Sequence, residues 1–309
     1  MNEQPVVQLR GVTKKIGTRT IVDDLSFDVM PGEIFGFLGP NGAGKTTTIR
    51  MMVGLISMTS GEVTIEGLSV VKEFERAMVR VGAIVENPEL YKFMTGYQNL
   101  EHYARMVPGG VDKARIDEVI ALVKLEQRIQ DKVKTYSLGM RQRLGVAQAI
   151  LHKPSVLILD EPTNGLDPEG IRELRDYLRH LSRTEGIAVI VSSHLLSEME
   201  LMCDRVAIIQ NGKLLDVRTF KETQEGEEGL TIRFELDPIE RARTIAAGMV
   251  RDAEISADEH SVTLRLTREM TAKLNAEFVA AGIQVYGIGQ VTKSLEDQFL
   301  EVTRGNRIV

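Results

Sequence analysis

Gly39-Pro40-Asn41-Gly42-Ala43-Gly44-Lys45-Thr46-Thr47 is the stretch that decides the fold. It fits G-x-x-x-x-G-K-[ST], a loop that cradles phosphate groups. Ahead of it, Ile34-Phe35-Gly36-Phe37-Leu38 reads as a short buried strand. Behind it, Thr47 to Met52 reads as the first turns of a helix that stops near Gly54. Strand, glycine loop and helix together point backbone N–H groups and a positive helix end at an anion. Gly42 and Gly44 lack a Cβ, so the backbone can bend sharply there and approach oxygens closely. Lys45 is expected to reach β- and γ-phosphates, and the Thr46 hydroxyl to hold Mg²⁺. The alternative is a glycine-rich turn with a solvated lysine. The flanking strand and helix favour a nucleoside triphosphate.

Working outward, 309 residues leave room for two domains. The net charge of −6 argues against a nucleic-acid partner held through its phosphates. A single cysteine, Cys203, excludes an internal disulfide and fits a reducing compartment. Met1-Asn2-Glu3-Gln4-Pro5 lacks a basic region followed by an apolar core, so no signal peptide is expected. No apolar run approaches the ~20 residues of a spanning helix. Any membrane role is expected to come through a partner.

Taken in order, Val6–Arg10 and Leu25–Val29 alternate apolar and polar residues, as half-exposed antiparallel strands do. Gly61–Gly67 alternates likewise, a helix is expected from about Val71 to Arg80, and Val81–Val85 reads as a strand leading to Glu86. From Glu86 to about Thr135 the pattern turns helical and amphipathic, broken at Pro108-Gly109-Gly110. A helix follows Tyr136 and runs to about Leu151; Val156–Leu159 and Ala188–Val191 read as buried strands. Asn211-Gly212 between apolar runs predicts a hairpin from Val206 to Val217. Thr219 to Gly229 is polar and glutamate-rich and reads as a linker. Beyond it come strands at Leu230–Leu236, near Ala253, at Val262–Leu266 and at Gln284–Ile288. Helices are expected at Ile239–Ala247 and Glu269–Ala281, and a last one carries Leu295, Phe299 and Val302. That order is the order of a ferredoxin-like unit.

Four aliphatic residues ending in Asp160-Glu161 deliver two carboxylates to the C-terminal end of a buried strand, where parallel α/β sheets bind ligands. Asp160 fits the acid that holds Mg²⁺, and Glu161 can polarise an attacking water. His194 ends the next apolar strand and is expected beside Glu161, in contact with a γ-phosphate. The hydroxyls of Ser192 and Ser193 read as turn chemistry.

Gly39–Thr47, Tyr136–Gln142, Leu157–Pro162, Gly165–Pro168 and Ser192–His194 stand in the order and spacing of the nucleotide-binding subunit of ABC transporters. The resemblance spans about Val6 to Val217. Tyr136-Ser137-Leu138-Gly139-Met140 and Ser294–Leu300 resemble the bacterial exporter subgroup of bacitracin resistance, lantibiotic immunity and drug export. The resemblance implies an α/β P-loop core with an antiparallel β subdomain and a helical subdomain at about 86–152. With the linker and the strand–helix order read above, domains are expected at 1–218 and 230–309 joined by a 219–229 linker, the second a small α+β unit. The resemblance further implies two copies paired head to tail, with ATP and Mg²⁺ between the Gly39–Thr47 loop of one and Ser137, Leu138 and Gly139 of the other. Asp167 is then expected to cross the interface, and a separate membrane permease to contact the helical region. The chain is expected to be cytoplasmic, peripheral on the inner face of the membrane. The amphipathic helices can also simply pack on their own core.

The chain departs from the family pattern in three places. Glu86 stands where most members have a glutamine that contacts Mg²⁺ and the attacking water, a habit of the same subgroup. Leu138 and Met140 replace glycine and glutamine in the signature. Ile16 stands where an aromatic usually stacks on adenine, so ATP over GTP preference rests on less than phosphate binding does. A soluble ATPase acting on ribosomes or DNA, and a binding module without hydrolysis, are the competing classes. A single glycine loop, no room for a long coiled coil, and the presence of Glu161 and His194 weigh against them.

Overall fold

The computed structural model describes residues 4–220, 230–250, 256–258 and 260–290. The chain divides into two compact units, Met1–Phe220 and Lys221–Val309.

In the first unit an antiparallel sheet of order β2-β1-β4-β5 is built from β1 (Val7–Ile16), β2 (Arg19–Val29), β4 (Ser60–Ile65) and β5 (Leu68–Ser69). Val7 pairs with Val29 on one side and with Ile65 on the other, which stacks the apolar positions of three strands on one face. A second sheet has the order β10-β9-β3-β8-β7-β6. Its members are β3 (Ile34–Leu38), β6 (Val81–Ile84), β7 (Val156–Leu159), β8 (Ala188–Ser193), β9 (Arg205–Gln210) and β10 (Lys213–Thr219). The five strands from β9 to β6 run parallel; β10 returns antiparallel on the edge through the Asn211-Gly212 turn. All residues of β3, β7 and β8 are buried, as strands covered on both faces must be. The two sheets share one core that includes Phe27, Phe35 and Phe37, with the first two rings stacked at 5.1 Å.

Helices α1 (Lys45–Met52), α2 (Phe74–Met78), α6 (Pro168–Glu185) and α7 (Leu196–Met202) connect these strands. Helices α3 (Gly96–Ala104), α4 (Lys113–Leu122) and α5 (Leu138–Ala149) form the helical region between β6 and β7. Its helix starts are written locally. Thr95 and Gln98 form a reciprocal capping box on α3, and Asp112 caps α4 by accepting from Arg115 N at 2.7 Å. The expected helix over Val71–Arg80 shortens to α2, because Val70 to Glu73 turn off β5 instead, with Glu73 N bonded to Ser69 O. Thr219, read as the start of a linker, is the last residue of β10 and pairs with Arg205. Residues 221–229 lie outside the described ones.

The second unit comprises β11 (Leu230–Asp237), α8 (Ile239–Met249), β12 (Ser256–Ala257), β13 (Ser261–Leu266), α9 (Arg268–Ala280) and β14 (Gln284–Gln290). Its sheet has the order β12-β13-β11-β14 with every pair antiparallel. Strict alternation along β11 buries Ile232, Phe234 and Leu236 against α8 and α9, with Phe234 edge-on to Phe278 at 5.4 Å. The strand expected near Ala253 lies at Ser256–Ala257, and the residues around Ala253 are outside the described ones, as is the expected helix with Leu295, Phe299 and Val302.

Candidate active site

Adjacent parallel strands β3, β8 and β7 end side by side, and the chemistry-bearing residues leave from those ends. The loop from Gly39 to Gly44 follows β3. A Cβ on Gly39 would stand 2.3 Å from the Ile209 carbonyl oxygen, so only glycine lets the loop leave the sheet this tightly. Gly44 caps α1 at φ 106°, a left-handed value that a side chain would oppose. No side chain caps α1. The first-turn N–H groups, at residues that include Lys45, Thr46 and Thr47, are thus left to an outside acceptor, which is what phosphate oxygens are.

Lys45 is 5% exposed, unusually buried for a lysine. Its Nζ donates to Gly39 O at 2.7 Å and to Pro40 O, and lies 3.0 Å from Glu161 Oε1. The other carboxylate oxygen, Oε2, accepts from His194 Nδ1 at 2.9 Å. Glu161 is therefore gripped on both oxygens, and its backbone sits at φ 48°. Asp160, 3% exposed, accepts from Ser192 Oγ at 2.6 Å, and the same hydroxyl accepts from Glu161 N at 2.8 Å. Ser193 Oγ accepts from Leu195 N at 3.0 Å, the turn chemistry expected of it. Ser192 instead orients the acidic pair.

Other candidates stand apart from this cluster. Glu86, at φ 67° beyond β6, pairs with the Arg50 guanidinium of α1. Ser137 caps α5 by accepting from Met140 N at 3.2 Å, and Leu138 and Gly139 begin that helix. Asp167 caps α6 by accepting from Gly170 N at 2.9 Å, ahead of Pro168 at the first helical position. Signature and Asp167 segments meet: Leu138 lies against Gly165, and Leu166 lies against Gly139. Ile16 ends β1 and is 59% exposed. Arg50, Thr163 and Glu198 were not singled out from the sequence, and Ser192 was read only as turn chemistry. Ser192 carries a local signal, its place at the end of a buried strand; the others gain their roles only from long-range partners.

Among the described residues no group of three or more His, Cys, Asp and Glu forms a metal cage. The donor set suits Mg²⁺ on a phosphorylated substrate, which needs one or two carboxylates and keeps water and phosphate oxygens as other ligands. Asp160, its orientation fixed by Ser192, and Thr46 are the residues that would supply such ligands.

Residues 22–164 match the family model described as ABC transporter. The chain is 56% identical over 298 residues to YhcH, an uncharacterised ABC transporter ATP-binding protein of Bacillus subtilis, covering 96% of each chain. It is 40% identical over 307 residues to the bacitracin transport ATP-binding protein BcrA of Bacillus licheniformis, covering 98% of this chain and 99% of that one. A solved ATP-binding subunit of an ABC transporter superposes with a TM-score of 0.62 at 28% identity, over 69% of this chain and 90% of that one.

Proposed function

This chain belongs to the ATP-binding proteins of ABC transporters, and from that premise we propose that it hydrolyses ATP between two copies of itself to drive export through a separate permease. The observation that carries the reading is the grip of Lys45 and His194 on Glu161 at the mouth of the glycine loop. A triphosphate seated on the α1 N-terminus offers Lys45 a more highly charged partner than one carboxylate. Lys45 then turns to the β- and γ-phosphates, and Glu161 Oε1 is left to accept a proton from water. The water oxygen bonds to the γ-phosphorus as the bond to the leaving ADP oxygen breaks, and the proton goes to Glu161. General-base help of this kind contributes about 10²–10⁴ in rate. Asp160 and Thr46 would hold Mg²⁺, which neutralises charge on the β- and γ-oxygens.

Pairing supplies the rest of the site. Ser137 takes only the Met140 N–H at the start of α5, which leaves the Leu138 and Gly139 N–H groups for an anion, and a second copy is the source of one. Asp167 and Leu166, beside that helix start, carry changes between the two sites. A cavity of about 870 Å³ lined by Phe74, Met78, Tyr103, Met106, Gln148 and His152 gives the helical region a place for a permease segment. Among the described residues no helix is long and apolar enough to cross a membrane. On this reading the permease, bound from the cytoplasmic side, provides the attachment. Ile16 offers adenine an aliphatic surface rather than a ring. The unit Met1–Phe220 is the nucleotide-binding domain, and the unit that begins at Lys221 is a second, smaller α+β domain. The likeness to a bacitracin transport protein supports peptide antibiotics or similar drugs as the cargo class.

Phosphate release by wild type and Glu161→Gln tests the reading. Glu161→Gln should lose about 10²–10⁴ in kcat while still binding ATP. Wild-type turnover in that variant contradicts Glu161 as the base.

A further inference from the structure

Glu198 lies on α7, one turn past His194, and takes no part in the chemistry described above. Its Oε2 accepts from Thr163 Oγ1 at 2.6 Å and from Ser193 Oγ at 3.1 Å. Thr163 stands two residues after Glu161, and Ser193 directly precedes His194. Both donors are buried, at 4% and 0% exposure, so each needs an acceptor inside the protein. One carboxylate therefore ties the segment bearing the base to the segment bearing the histidine.

The tie acts where the backbone needs one. Glu161 adopts φ 48°, a left-handed value that a non-glycine residue keeps only when its surroundings fix it. Before it, Ser192 Oγ holds Asp160 and the Glu161 N–H. After it, Thr163 is held through Glu198. Ser193, already bonded by Leu195 N on the far side of His194, brings the histidine into the same frame. Glu161 is thus tethered on both flanks to the end of β8, and the 2.9 Å contact between His194 and Glu161 is set between those tethers.

We propose that Glu198 is a positioning residue for ATP hydrolysis, bridging Thr163 and Ser193 so that Glu161 and His194 stay in register. The proposal rests on the hydrolytic reading given above. The phosphate-binding loop makes no use of Glu198, so nucleotide affinity does not depend on it.

Steady-state ATPase kinetics on the full chain, with melting curves alongside, separate the outcomes. Glu198→Ala should lower kcat about tenfold to a hundredfold, as a displaced catalytic pair does, with KM for ATP unchanged. Glu198→Gln keeps an acceptor oxygen and should restore most of the rate. Thr163→Val, which deletes one of the two bonds with little change of shape, should lower kcat as well and add nothing to Glu198→Ala. It also carries the test if Glu198→Ala fails to fold. Wild-type kcat in Glu198→Ala or Thr163→Val overturns the role, as does a Glu198→Gln variant as slow as Glu198→Ala. A rise in KM in step with the fall in kcat also overturns it. A wild type without turnover removes the hydrolytic reading and this role together, whereas an active wild type matched by Glu198→Ala removes the role of Glu198 alone.

Discussion

Two glutamates sit in left-handed backbone at the ends of neighbouring strands, and their partners divide the work between them. Glu161 meets a buried lysine and a histidine. Glu86 meets Arg50 in a pair whose side chains are 62% and 40% exposed, an interaction worth about 1 kcal/mol or less. Such a pair opens readily, so Glu86 can leave Arg50 for a cation on the triphosphate. Glu86→Gln should keep hydrolysis and move the Mg²⁺ midpoint upward by about twofold to fivefold, the size of one exposed charge contact. A Mg²⁺ titration of ATPase activity reads this directly; an unchanged midpoint contradicts a role for the carboxylate at the metal. The identities of Lys45, Asp160, Glu161 and His194 were legible in the sequence because each ends a buried strand or follows a glycine loop. The place of His194 beside Glu161 was legible too, from the neighbouring strand ends. The bond of Lys45 to Glu161 was not, nor were Arg50 and Glu198, because a partner more than thirty residues away leaves no periodic trace.

Helices and strands repeat the lesson at the next scale. Strand β3, the Asn211-Gly212 hairpin and the alternation of β11 were readable because burial imposes a period on them. Helix α2 was over-extended, since apolar residues from Val70 to Val79 mimic a helical face while the chain is still turning off β5. Ser137 and Asp167, marked by resemblance as interface residues, turn out also to cap α5 and α6 within their own chain. A cap contributes about 1 kcal/mol, so each has a reason to be there besides a partner. The junction of α5 and β6 carries a pH signature. His152 follows α5 and its Nε2 lies 3.0 Å from Val81 O, on β6. Burial pushes its pKa below 6.5, helped by the nearby Arg115 charge and opposed by the Val81 bond. The folded state therefore resists protonation that the unfolded chain accepts, so stability is complete above about pH 6.5 and declines as pH falls below it. His152→Gln should flatten that acid limb in a series of melting temperatures against pH. A limb as steep as that of the wild type contradicts His152 as its source.

For the whole molecule, the central claim is that the site is half a site. One chain brings together the phosphate loop, Asp160, Glu161 and His194, while Ser137 to Gly139 open a helix packed on α3, α4 and β6. On this account ATP joins two copies, and hydrolysis separates them. Nothing in composition or periodicity foretold this; it follows from the family to which the chain belongs and from a helix start with N–H groups to spare. Light scattering of Glu161→Gln with and without ATP and Mg²⁺ tests it most directly. The account predicts a monomer without nucleotide and a dimer with it. A monomer that has bound ATP and stays a monomer contradicts it.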